Sequence, residues 1–143
     1  MSPLLLLLLL LKLATTQGPA AQSPSIRYEG TFSNGIKGDT ISFLLSPDGN
    51  TISGLTFKGY WRCAGKLQPL AAVGPRGTYT VTNGAIAGRL CEGSQKSGPD
   101  NCFELSGKIN GAAANGKLRL SDKAKRCDSG QLLWSAVAVN PTK

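Results

Sequence analysis

The sequence predicts an all-β fold, an antiparallel β-sandwich or small barrel of about eight to nine short strands held by two disulfides. Four Asn-Gly steps and one Asp-Gly step, dipeptides that accept positive φ in tight hairpins, divide the chain into short segments. Between these turns apolar and polar residues alternate, and no window of ten or more residues after the leucine run has a helical period. The chain also contains four cysteines, an even number suited to pairing.

The turn signals define the strands in chain order. Asn34-Gly35 separates the first two candidates, and a Pro-Asp-Gly turn precedes the third, which leads towards Cys63. Near the C-terminus, residues 116–121 alternate leucines on one face with cations on the other, so one face is expected in solvent. Residues 131–139 are apolar on both faces, which predicts a central strand covered on both sides. The nine candidates span residues 26–33, 40–46, 51–59, 66–73, 78–82, 85–91, 102–109, 116–121 and 131–139.

Residues 1–21 are predicted to be a secretory signal peptide, which leaves residues 22–143 as one small domain. Eight consecutive leucines at 4–11 supply less than half of the ~20 apolar residues that a membrane-spanning helix needs. Small residues follow, and cleavage is expected near Ala20 or Ala21. An uncleaved anchor is the alternative, because Lys12 interrupts the apolar run. The mature protein is expected to be secreted, without a transmembrane span, into an oxidising compartment.

Composition excludes several function classes. The chain has 16 Lys and Arg, 8 Asp and Glu and no His, which removes His-based catalytic triads, His-ligated metals and a His pH switch. Because the leader holds one cation, Lys12, the mature part keeps 15 cations against 8 anions. No phosphate-binding loop or EF-hand spacing occurs, so neither a cofactor nor a metal is expected.

The spacing of the cysteines favours disulfides over a four-thiolate metal site, because no C-x₂₋₄-C pair is present. The polar, turn-rich residues 92–101 separate Cys91 from Cys102 and indicate a hairpin loop. If these cysteines face each other, antiparallel register also pairs Arg89 with Glu104. Cys91–Cys102 is therefore predicted, and Cys63–Cys127 follows by elimination.

Two groups of side chains are candidates for binding. Tyr60, Trp61 and Arg62 precede Cys63, and exposed aromatic rings held rigid by a disulfide would stack on a sugar. The alternative is that Trp61 packs in the core over the disulfide. The second group is basic, and a secreted basic patch would attract acidic polysaccharide, anionic lipid or nucleic acid; the alternative is an edge kept soluble by charge. It comprises Lys117, Arg119, Lys123, Lys125 and Arg126.

A catalytic role has less support. The sequence lacks a Gly-x-Ser-x-Gly elbow and a base that could activate a serine. A hydrolase would have to use carboxylates alone, which requires two of them to converge across a cleft. The candidates for such a pair are Glu29, Asp39, Glu92 and Asp122.

Two patterns covering most of residues 26–139 resemble a known group of domains. They are G-T-F with I-S-F-L-L-S-P-D-G-N-T-I-S-G-L-T-F before Cys63, and G-K-L-R-L with C-D-S-G-Q-L-L-W-S-A at the end. The group consists of small secreted domains, common in bacterial extracellular proteins, that have no established activity. The resemblance implies a β-sandwich in which Cys63 and Cys127 bridge the two halves, and it implies no functional residue. The additional cysteines, 91 and 102, depart from the pattern.

These observations predict a secreted, monomeric, non-enzymatic binding or interaction module. Its expected partner is an anionic polysaccharide or a cell-surface glycan. The alternatives are an extracellular carboxylate-dependent hydrolase and a structural component of a wall or matrix.

Overall fold

The computed structural model describes Gly18, residues 23–93 and residues 101–139. Within these ranges the protein is all-β, as predicted, with ten strands and no helix, and therefore no helix that could cross a membrane. Apart from Gly18, the predicted signal peptide lies outside the described residues, as does most of the predicted loop between Cys91 and Cys102. The strands are β1 (Ile26–Phe32), β2 (Thr40–Leu45), β3 (Thr51–Cys63), β4 (Lys66–Val73), β5 (Tyr79–Thr82), β6 (Ala85–Glu92), β7 (Asn101–Asn110), β8 (Ala113–Asp122), β9 (Cys127–Asp128) and β10 (Leu132–Val139).

Eight of the ten strands close into a barrel. Strands β1, β2, β3, β5, β6, β7, β8 and β10 pair antiparallel in that order, and β10 pairs again with β1. The sequence does not distinguish a sandwich from a barrel. The closed ring of paired strands is that of a barrel. The other two strands lie off the ring, where β4 pairs with β3 and β9 joins β3 to β8.

The barrel interior is filled by alternate side chains from the ring strands. At its centre the Tyr28 and Phe43 rings stack with centroids 5.3 Å apart, and Trp134 meets Phe43 edge-on at 5.5 Å. Room for the indole depends on Gly107, because a Cβ there would lie 2.7 Å from Cζ2 of Trp134. Each fully buried side chain of this size contributes about 1.5–3 kcal/mol. Other buried members of the core include Ile41, Leu45, Ile52, Leu55, Phe57, Trp61, Tyr79, Val81, Ile86, Phe103, Leu105, Leu118, Leu120 and Leu132.

A β-bulge sets which side chains of β3 face the interior. The register between β2 and β3 shifts between Ser42 and Leu44, opposite Gly54, which has a φ of 61°. From Phe57 onward β3 alternates regularly. Trp61 therefore points inward, while Tyr60 and Arg62 point outward.

Both predicted disulfides are present. Cys91 lies opposite Cys102 with Arg89 opposite Glu104, and Nε of Arg89 is 3.2 Å from Oε1 of Glu104, as the sequence predicted. The second disulfide, Cys63–Cys127, joins β3 to β9. The hairpin pairing could be predicted because only a short loop separates its two strands.

One expectation about the last strand is wrong. The sequence predicted that residues 131–139 are covered on both sides, but only the inward face of β10, including Trp134 and Ala136, is buried. The outward residues Leu133 and Val137 are exposed. A barrel of this size has one interior and no second layer, so the outward apolar residues remain at the surface.

Candidate functional site

A gap in strand pairing along β3 creates the cleft that forms the candidate site. On one edge β3 pairs with β4 from Thr56 to Cys63. On its other edge it pairs with β2 only as far as Lys58, and with β9 only from Arg62 onward. Residues 59–61 therefore have a neighbouring strand on one edge only. A cleft of about 510 Å³ lies beside this gap.

Two loops form the walls of the cleft, one between β1 and β2 and the other between β9 and β10. The side chain of Asn34 holds them together. Its Nδ2 donates to the backbone oxygen of Gln131 at 2.8 Å, and its Oδ1 accepts from the backbone N–H of Leu133 at 2.7 Å. These two hydrogen bonds hold the β1–β2 loop against the start of β10.

Asp39 is a buried acid that lines the cleft. Its Oδ2 accepts a hydrogen bond of 3.1 Å from the backbone N–H of Ile36. Its Oδ1 is buried and has no hydrogen-bond partner among the described residues. Gly59 provides the space for this carboxyl group, because a Cβ there would lie 2.6 Å from Cγ of Asp39.

The predicted aromatic residues lie on β3 rather than on a loop, because β3 continues four residues beyond its predicted end at 59. Tyr60 is 40% exposed and lines the cleft. Trp61 also lines it but is only 8% exposed and belongs to the core. The cleft thus offers one exposed aromatic ring, with Arg62 exposed beside it.

An ion pair stands at the border of the cleft. Arg119 donates to Asp128 through Nε at 3.1 Å and Nη2 at 2.6 Å. These hydrogen bonds are the main reason that the pKa of Asp128 is lowered, and the same contact raises the pKa of Arg119. A third hydrogen bond to Asp128 comes from the backbone N–H of Gly130 at 2.7 Å.

Two further depressions adjoin the cleft, one through Arg119 and the other through Asp128. The first, about 270 Å³, lies on the outer face of β6, β7 and β8 and is lined by Lys117 and Arg119. The second, about 470 Å³, is lined by Lys123, Arg126 and Asp128. Lys125 lies outside all three and has its Nζ 4.0 Å from Oδ2 of Asp122.

The structure therefore brings together two groups that are far apart in the sequence. Strand β9 pairs with β3 and β8 at once, and the turn before it is tied to the β3–β4 hairpin by the Ala64 N–H, which donates to the Arg126 oxygen at 2.9 Å. We call the combined area the aromatic–basic surface. It consists of Tyr60, Trp61, Arg62, Lys117, Arg119, Lys123 and Arg126.

Of the four carboxylates considered for hydrolysis, only Asp39 lies in the cleft. Glu29 pairs with Arg27 at 2.7 Å, and Glu92 accepts the backbone N–H of Arg76 at 2.7 Å. Asp122 is buried at the end of β8, where its carboxylate accepts a hydrogen bond from the backbone N–H of Lys125 at 3.0 Å. Among residues 23–93 and 101–139, no cluster of three or more acidic or cysteine side chains could hold a metal ion.

Sequence reasoning missed the part that Asn34 and Asp128 have in the cleft. It gave Asp128 no role and considered Asp39 only for catalysis. The available signal was an Asn-Gly turn closely followed by an acid at the start of an alternating strand. That signal indicates a structured turn but does not show what the turn lies against.

The fold and the site define a small disulfide-bridged antiparallel barrel with a polar cleft beside one strand. Comparison with protein-family models, with curated proteins and with solved structures gives no match to this chain.

Proposed function

We propose that this protein is a secreted, non-enzymatic module that binds acidic polysaccharide through the aromatic–basic surface. The observation that carries the proposal is the contiguity of this surface. Its cleft and its two basic depressions adjoin one another through Arg119 and Asp128. An extended ligand could therefore contact the cleft and both depressions of a single protein molecule at once.

The chemistry of the surface suits a sugar polymer. Tyr60 presents a half-exposed ring, and aromatic rings contribute large contact area with a fixed geometry. Lys117, Lys123 and Arg126 take part in no ion pair among the described residues, so their charges are available to sulfate or carboxylate groups. Asp128 largely neutralises the charge of Arg119, so Arg119 mainly shapes the border of the cleft.

Secretion is supported by the disulfides and by the leucine-rich leader. Two disulfides are typical of proteins that fold in an oxidising compartment. The resemblance to small secreted domains of bacterial extracellular proteins agrees with export, and an acidic cell-surface or matrix polymer would be present in that location.

A carboxylate-dependent hydrolase is the second candidate, because Asp39 and Asp128 line the same cleft. Binding without catalysis is favoured by the state of Asp128. Its carboxylate accepts three hydrogen bonds, from Arg119 and from Gly130, and its pKa is lowered, so it is a weak base. It is also held in place by Arg119 and cannot easily approach a bound sugar.

Retention on immobilised heparin tests the proposal. We expect the purified mature protein to bind at low salt and to elute as salt screens the charges. Replacing one cation of the surface, by Lys123→Ala or Arg62→Ala, should weaken binding about fivefold, since one Lys or Arg near an anionic surface is worth about 1 kcal/mol. Tyr60→Ala should weaken binding without changing its dependence on salt.

Arg27→Ala is the matched control. It removes one exposed cation near the start of β1, roughly 17 Å along that strand from Phe32, where the loop that walls the cleft begins. Its affinity should stay within about twofold of the wild type. Equal losses for Arg27→Ala and Lys123→Ala would mean that only net charge matters and would refute the site. Release of reducing ends by the wild type, lost in Asp39→Asn, would favour the hydrolase.

A further inference from the structure

We propose that the free edge of β4 binds an extended acidic peptide, which adds to the sheet as one more antiparallel strand. The peptide would carry acidic side chains at alternate positions, on the outer face of the sheet. No residue of β4 belongs to the aromatic–basic surface, and this interaction does not depend on the proposed binding of polysaccharide.

The pairing of β4 is the observation behind the proposal. β4 pairs with β3 along all eight of its residues and with no other described strand, whereas each of the other nine described strands pairs with at least two. An unpaired strand edge presents a row of N–H and C=O groups, and it is a template on which an extended peptide forms a further strand. The strand pairing of this fold therefore leaves β4 with one such edge.

The register of the β3–β4 hairpin fixes which backbone groups face outward. Residues 64–65 both have a positive φ and form a two-residue turn, so Cys63 and Lys66 are a hydrogen-bonded pair. Bonded and non-bonded pairs alternate from there without a shift, and the Gly74 N–H, which donates to the Leu55 oxygen, continues the pattern. The residues whose backbone groups point away from β3 are Leu67, Pro69, Ala71 and Val73.

These four residues are all exposed, so their backbone groups are open to a partner. Pro69 has no N–H, and a proline at this position weakens an edge, but three donors and four acceptors remain. Leu67 is 47% exposed and Val73 is 82% exposed. A strand laid along the edge would cover part of both apolar side chains as well as satisfy the backbone.

The charges around the edge favour an acidic partner over a second copy of this chain. β3 and β4 contain three cations, Lys58, Arg62 and Lys66, and no acidic residue. None of the three takes part in an ion pair among the described residues. Lys58 lies opposite the small side chain of Ala71, over which it can extend towards an added strand. Pairing of β4 with β4 of a second copy would bring like charges together and include Pro69 twice.

The other face of the edge suits apolar side chains. Leu70 and Ala72 are half-buried there and pack against the core. In an antiparallel sheet the side chains of an added strand alternate between the two faces, in step with those of β4. The partner that fits both faces is therefore a segment in which acidic and apolar residues alternate.

Hydrogen exchange measured by NMR, with a capped peptide of four Glu-Val repeats, tests the proposal. The amide hydrogens of Leu67, Ala71 and Val73 should exchange more slowly when the peptide is added, because they gain partners. Those of Leu70 and Ala72 already bond to β3 and should not change. A purely electrostatic contact would not produce this alternation. A peptide of four Lys-Val repeats should bind at least about tenfold more weakly.

Ala71→Pro removes one outward donor without breaking a bond to β3, and proline is tolerated at such edge positions. It should weaken binding of the Glu-Val peptide about fivefold. Heparin affinity should not change. Ala71→Ser keeps the N–H and is the matched control, with an affinity within about twofold of the wild type. Lys58→Ala should weaken peptide binding about threefold, whereas Lys123→Ala, on the distant basic surface, should leave it unchanged.

Several outcomes would overturn the proposal. It is wrong if the Glu-Val peptide does not bind, if binding protects no alternating set of amides, or if Ala71→Pro, folded by circular dichroism, binds as tightly as the wild type. Should Ala71→Pro fail to fold, the exchange pattern of the wild type and the affinity of Lys58→Ala decide. Protection of the same amides by raised protein concentration alone would identify a second copy as the partner. None of these results depends on heparin, so each proposal can fail alone.

Discussion

A single hydroxyl group, that of Tyr79, links two strands across the barrel interior. Tyr79 is 2% exposed, and its hydroxyl donates to the backbone oxygen of Phe103 at 2.9 Å. Burial raises the pKa of Tyr79 well above its usual value of 10.0, because the phenolate would lose its hydration. The raised pKa has a direct consequence for stability in alkaline solution.

Tyr79 should make the fold sensitive to high pH. Its folded pKa lies above its unfolded pKa of about 10, so the stabilisation is complete below pH 10 and is lost as the pH rises further. By pH 11 this one group should lower the free energy of unfolding by about 1.4 kcal/mol. Chemical denaturation of the wild type and of Tyr79→Phe between pH 7 and 11 measures the effect.

At pH 7 the Phe variant should be less stable by about 1 kcal/mol, because the hydrogen bond to Phe103 is lost. The difference between the two proteins should then shrink, vanish at about pH 10.6 and reverse slightly by pH 11. A difference that stays constant over this range would show that Tyr79 ionises normally in the folded state.

At the scale of the strand, a pair of facing glycines lets the barrel enclose the indole of Trp134. Gly107 on β7 lies opposite Gly116 on β8, and Trp134 on β10 lies opposite Gly116 in turn. The indole extends across both glycines towards the Phe43 ring. A side chain at either glycine would occupy the same space as the indole or the neighbouring backbone.

Gly107→Ala should therefore destabilise the protein although alanine is a small residue. Its Cβ would lie 2.7 Å from Cζ2 of Trp134, and overpacking of this kind costs about 1–3 kcal/mol. Thermal unfolding followed by tryptophan fluorescence should show a lower Tm and a changed emission spectrum.

Ser106→Ala provides the comparison on the same strand. Ser106 is exposed, and its replacement should change stability by less than about 0.5 kcal/mol. Similar Tm values for the two variants would mean that both the indole and the neighbouring Asn115 backbone oxygen can move aside without cost.

At the scale of the whole molecule, the Cys63–Cys127 disulfide connects distant parts of the chain and also assembles the site. It closes a separation of 64 residues, compared with 11 for Cys91–Cys102. It also holds β9 against β3, which brings Arg62 opposite Asp128. Its loss should affect stability and binding together.

Replacing Cys63 and Cys127 by serine should cost about 4 kcal/mol, whereas replacing Cys91 and Cys102 should cost about 3 kcal/mol, because the longer loop gains more entropy when opened. Heparin affinity, measured under conditions in which both variants are folded, should fall more in the variant that lacks Cys63–Cys127. Unchanged heparin binding after removal of Cys63–Cys127 would contradict a site assembled by β9.

Local features of the chain fixed the all-β class, most strand positions and the Cys91–Cys102 register. Alternation and Asn-Gly turns act over a few residues, so their outcome is readable without knowledge of the rest of the fold. Tyr60 and Arg62 could be singled out because aromatic and charged residues beside a cysteine stand out in the sequence; both side chains are exposed, and their role in binding stays a prediction. Whether Trp61 would be exposed could not be predicted, since one residue of register decides which face it occupies.

Tertiary structure alone decided the barrel closure, the exposure of the outer face of β10, and the meeting of Asp39 with the aromatic–basic surface. Each depends on pairing between strands far apart in the chain, such as β1 with β10 and β3 with β9. Periodicity specifies the faces of a strand but not its neighbours. The two-residue strand β9, too short to carry any period, joins the cleft to the basic depressions, and only the folded chain reveals it.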